Sequence, residues 1–181
     1  GLESGRVCIY DLRAKKEPVA KSSISNDVHK TQITGLQYIG TNNSSNLVSI
    51  SEEGRMCIWP TNKLEQPRKV DLLFQEKKDN VEDYQFAAEP LCISSIPGDI
   101  SSVFVGSSEG KIYQCITESA QMDQSVKFYS QMFVDHGAAV TSVSMSPLNT
   151  AATELSGMMI SSSLDWMMKL WNPKSSKPIT T

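Results

Sequence analysis

The sequence is poor in the residues that metal and redox chemistry use. Among 181 residues there are four cysteines and two histidines. No two of Cys8, Cys57, Cys92 and Cys115 form a C-x-x-C pair, so a zinc site is not expected, and neither is any other cofactor. Cys8, Cys57 and Cys115 fall in strand-like runs and read as free buried thiols of a reducing compartment. No excess of basic charge is present: the formal net charge is -3, which excludes a broad phosphate-binding face and leaves nucleic acid an unexpected partner. No apolar run approaches the roughly 18 residues of a spanning helix, and no leader-like segment opens the chain. Convincing helical periodicity is also missing. The best stretch, Leu72 to Val81, contains Glu76-Lys77-Lys78-Asp79-Asn80 and reads as a solvated loop. The chain begins at Gly1 without an initiator methionine, so a fragment of a longer protein is expected.

What is present is a repeat. A turn, usually with glycine, is followed by a short strand ending in an aromatic or its replacement. It occurs as Gly5-Arg6-Val7-Cys8-Ile9-Tyr10-Asp11, Gly54-Arg55-Met56-Cys57-Ile58-Trp59, Gly110-Lys111-Ile112-Tyr113-Gln114-Cys115 and Asp165-Trp166-Met167-Met168-Lys169-Leu170-Trp171. The strand-end positions 10, 59, 115 and 171 lie 49, 56 and 56 residues apart. A plain WD-type blade takes about 40–45 residues, and loops absorb the excess at little entropic cost. Around each mark the residues are β-branched, aromatic or apolar, and clusters such as Thr41-Asn42-Asn43-Ser44-Ser45 and Pro97-Gly98-Asp99 punctuate them as turns. Both faces of the marked strands are apolar, as expected of a blade covered on each side by a neighbour. The expected fold is therefore all-β: an incomplete arc of a WD-repeat β-propeller, about three blades plus one blade edge. The blade end covers 1–24, a blade 25–75, a degenerate blade 88–133 and a further blade 134–181. Such an arc cannot close into the usual 4–8-bladed ring.

The last unit carries the most specific constellation: His136, Ser162 out of Ser161-Ser162-Ser163, Asp165 and Trp171. His136 stands four residues before Val140, and Asp165 six before Trp171. An aspartate in that turn can accept backbone N–H groups and the imidazole proton, while serine and indole extend the chain of bonds so that each buried polar group is matched. The pattern recurs partly with His29, Glu53, Gly54 and Trp59; in the third unit, with Gly110, Glu109 takes the acid position and Cys115 the aromatic one. The competing reading is a hydrolase built on Ser162, His136 and Asp165. No G-x-S-x-G or glycine-rich loop accompanies the serines, and recurrence in successive units fits architecture, not one active site. No catalytic, cofactor or metal residue is expected. Tyr10-Asp11-Leu12-Arg13 is a blade-closing W-D-x-R form in which Arg13 either pairs with Asp11 or reaches a partner protein. Lys15-Lys16 and Lys174 to Lys177 read as solvated loop charges, and the strand methionines as filling between blades.

These stretches resemble the C-terminal WD-repeat region of cytoplasmic dynein intermediate chains. The resemblance is carried by Gly5 to Arg13, Gly40 to Asn43, Asn46 to Trp59 and Pro97-Gly98-Asp99. Phe104 to Tyr113 and Ser161 to Trp171 carry it further. The order of intact, degenerate and intact units is its most specific feature. The chain departs from the family at Tyr10, where the family has Trp, at Glu53, where it has Asp, and around Asn149 to Leu155. The resemblance implies a non-catalytic scaffold, cytoplasmic and microtubule-associated, whose propeller docks on the dynein heavy chain. Light chains and dynactin would be recruited through an N-terminal region absent from these residues. An adaptor of another complex, such as a ubiquitin-ligase substrate receptor, is the alternative.

Overall fold

The computed structural model describes residues 1–13, 17–23, 28–41, 45–72, 89–118, 129–147 and 156–181. These form fourteen strands in four antiparallel sheets. The first sheet has two strands, β1 (Cys8–Ile9) and β2 (Ala20–Lys21). The second runs in chain order through β3 (Ile33–Gly40), β4 (Ser45–Ser51), β5 (Arg55–Pro60) and β6 (Lys69–Leu72). The third contains β7 (Pro90–Ser94), β8 (Ser102–Ser107), β9 (Lys111–Ile116) and β10 (Tyr129–Val134). The fourth contains β11 (Val140–Met145), β12 (Met159–Ser163), β13 (Met168–Trp171) and β14 (Pro178–Thr180). Each four-stranded sheet is thus a meander of consecutive strands, the arrangement that short turns favour.

Strand alternation decides how the sheets stack. In β5, Met56 and Ile58 point to one side and Cys57 and Trp59 to the other, and all four are buried. Met56 and Ile58 join Val48 and Ile50 against Val103, Val105, Tyr113 and Cys115 of the third sheet. Cys57 and Trp59 pack with Val7 and with Ile9 of the first sheet. The third sheet repeats the device, since Phe104, Ile112 and Phe133 turn away from the second sheet onto Val140, Met145, Met159 and Trp171 of the fourth. Three apolar seams therefore join four sheets in sequence. Each large buried side chain contributes roughly 1.5–3 kcal/mol. The first strands of the three four-stranded sheets approach one another, with β7 lying between β3 and β11. This is a blade-like arc with sequential contacts. The two-faced apolar pattern read in the marked strands has its cause in these seams.

Several sequence expectations meet particular outcomes. The last unit is a complete meander closed by β14. The outer strand of the third sheet, β10, runs from Tyr129 to Val134. The stretches Lys15-Lys16, Glu76 to Asn80 and Asn149 to Leu155 lie outside the described residues. Met56, Met145 and Met159 fill seams, whereas Met167 and Met168 are exposed. All four cysteines are free. Burial pushes the Cys57 thiol up to about 12 and Cys92 up to about 11, and raises that of Cys115 as well.

Candidate functional site: the buried histidine networks and the turn end of the sheets

The turns that lead into β1, β5, β9 and β13 share one geometry. In each, the fourth residue donates its N–H to the carbonyl of the first: Gly5 to Leu2, Gly54 to Ser51, Gly110 to Ser107 and Trp166 to Ser163. The fourth residue is left-handed every time, with φ of 74, 78, 81 and 67°. That conformation is free for glycine and costs a side-chain-bearing residue. The acid that precedes it in the three larger sheets is Glu53, Glu109 or Asp165.

In the fourth sheet the acid closes a buried relay. The Trp171 indole N–H donates to Ser161 Oγ at 2.8 Å. The Ser161 hydroxyl donates to His136 Nε2 at 2.7 Å, and His136 Nδ1–H donates to Asp165 Oδ2 at 2.8 Å. Asp165 also accepts the backbone N–H groups of Gly137 and Met167. Against the opposing cost of desolvation, the bonds from His136 and those two amides hold its carboxyl well below the usual carboxylate range. One neutral imidazole tautomer satisfies every donor in the chain. The ring also lies 6.1 Å from Trp171, which meets Phe133 edge-on.

The serine is a correction to the sequence reading, which assigned the role to Ser162. Along β12 side chains alternate, so Ser161 and Ser163 face the third sheet side and Ser162 faces the other. Ser162 Oγ meets Thr141 instead, at 2.9 Å. Ser163 braces the turn by donating to Ala138 O and accepting from Asp165 N.

In the second sheet the relay is longer by one hydroxyl. Trp59 donates to Ser49, and Ser49 to His29 Nε2 at 2.5 Å. His29 Nδ1 then meets Ser51 at 2.8 Å, and Ser51 reaches Glu53 only at 3.4 Å. Glu53, one methylene longer than aspartate, accepts from Lys30 N at 2.7 Å and lies 3.5 Å from the Arg55 guanidinium. It therefore does not take the imidazole proton that the sequence spacing suggested. His29 has no carboxylate in contact, and burial pushes it down to about 4. Ser49 and Ser51 were missed in the sequence. Their offsets to Trp59 match those of Ser161 and Ser163 to Trp171, which is the signal that could have found them.

The third sheet keeps one hydroxyl of this set. Ser107 bonds the backbone of Lys111 across its turn, Val105 fills the place of Ser49 and Ser161, and Cys115 that of the indoles. Glu109 pairs with Lys111 at 3.1 Å. The histidine position of that unit lies outside the described residues.

Chemically, the relays are saturated and closed. Ser161 is 2% exposed and both of its lone-pair and proton roles are taken by Trp171 and His136. A nucleophilic hydroxyl would need an open approach and facing oxyanion donors. Among the described residues no group of three or more His, Cys, Asp or Glu side chains could hold a metal ion, and no helix is long and apolar enough to cross a membrane. Arg13 forks onto Asp11, with Nε–Oδ1 at 3.1 Å and Nη2–Oδ2 at 3.0 Å, at an exposed corner. A cleft of about 260 Å³ opens between the second and third sheets at the end away from the acidic turns, beside Tyr38, Ile96 and Asp99.

No family model matches the chain. It is similar over 183 aligned residues to the cytoplasmic dynein 1 intermediate chain of Drosophila melanogaster, with 28% identity, and the match takes in 99% of this chain and 25% of that protein. The chain thus spans about a quarter of the length of the curated relative it matches, and its arc of sheets stands in distant relation to a dynein intermediate chain.

Proposed function

We propose that these sheets are successive blades of a WD-type β-propeller and that the chain is a non-catalytic docking subunit of a dynein motor, seated on the heavy chain in the cytoplasm. The observation that carries this reading is the 28% identity extending over 99% of the chain, together with the repeated four-stranded plan. The relays support a scaffold over a hydrolase, because their serines and histidines are consumed in bracing the seams. A propeller presents its strand-connecting loops at the two ends of the stack, and such loops are where binding surfaces are built. Microtubule-based cargo transport would follow from the heavy chain's motor activity. Light chains and dynactin would bind elsewhere in the longer protein.

The competing adaptor reading drew on Asp11-x-Arg13. That arginine is turned onto its own aspartate, which leaves it a weak case for partner recognition. The docking reading is tested by deleting residues 1–181 from the full-length protein and asking whether dynein heavy chain still co-purifies. Loss of heavy chain is expected. Undiminished heavy chain after the deletion removes the reading.

A further inference from the structure

We draw no further inference here: the strongest candidate, the cleft between the second and third sheets beside Tyr38, Ile96 and Asp99, carries nothing because the Asp99 carboxylate is spent on Ser101 and Ser102 of its own loop and nothing in the structure shows what covers the rest of the cleft.

Discussion

The second and fourth sheets solve one problem with different acids. Each buries a tryptophan, a serine and a histidine in a seam, and each must end the resulting chain of hydrogen bonds on something that water does not compete for. The fourth ends it on Asp165, which touches the ring directly. The second ends it on a hydroxyl, because Glu53 overreaches to the backbone of Lys30 and to Arg55. One methylene in a turn residue thus separates a charge-braced imidazole from one held between two neutral hydroxyls. The third sheet, with a single serine of the set, relies on apolar packing by Val105 and Cys115 instead. A conserved shape can therefore be held by three balances of the same terms.

The largest effect expected from this contrast is at the histidines. His136→Ala should cost about 3 kcal/mol in denaturant unfolding, since it strands Asp165, Ser161 and the Trp171 indole together, while His29→Ala costs about 2 kcal/mol. Equal costs would mean that the carboxylate adds nothing.

Next comes pH. His29 is depressed to about 4 from an ordinary 6.5, so the unfolded state binds more protons between those values. Its contribution is complete above pH 6.5 and is lost as pH falls toward 4, amounting to roughly 3 kcal/mol. His29→Gln should flatten that limb of the stability profile. The Asp165 contribution, from a carboxyl held below its usual range, is present above the unfolded carboxylate pKa and fades only under stronger acid. A profile whose losses all fall below pH 4 would contradict the His29 assignment.

Smaller still is the serine pair. Ser161→Ala should cost about 2 kcal/mol and Ser162→Ala under about 0.5 kcal/mol, read by thermal or chemical denaturation. Reversed values would restore the sequence assignment. The smallest is Glu53→Asp. It moves the carboxylate toward His29 and changes stability by about 1 kcal/mol or less, with the His29 pKa rising by NMR titration. An unmoved pKa would show that turn geometry, not acid length, sets the contact.

The sequence made the seams legible because strands carry a period of two and the turn marks recur, so apolar pairs such as Met56 with Ile58 and Cys57 with Trp59 declare two buried faces. The relay was legible as a set of residue types at fixed offsets. Choosing among three adjacent serines required register: β12 pairs Ser161 with Lys169 and Ser162 with Met168, and only the buried side of that ladder reaches His136. The detour of Glu53 was not legible, because spacing counts residues and says nothing of side-chain reach. Trp166 was read as part of a marked strand. Its left-handed backbone and open indole emerge only when its turn is superposed on those of Gly5, Gly54 and Gly110.

The stacked seams are tested most directly by the indoles, of which the chain has three: Trp59, Trp166 and Trp171. Hydrogen exchange of the indole N–H groups, followed by NMR with 15N-labelled tryptophan, should give two slowly exchanging signals from Trp59 and Trp171 and one fast signal from Trp166. Rapid exchange at Trp59 and Trp171, matching that at Trp166, would contradict the account.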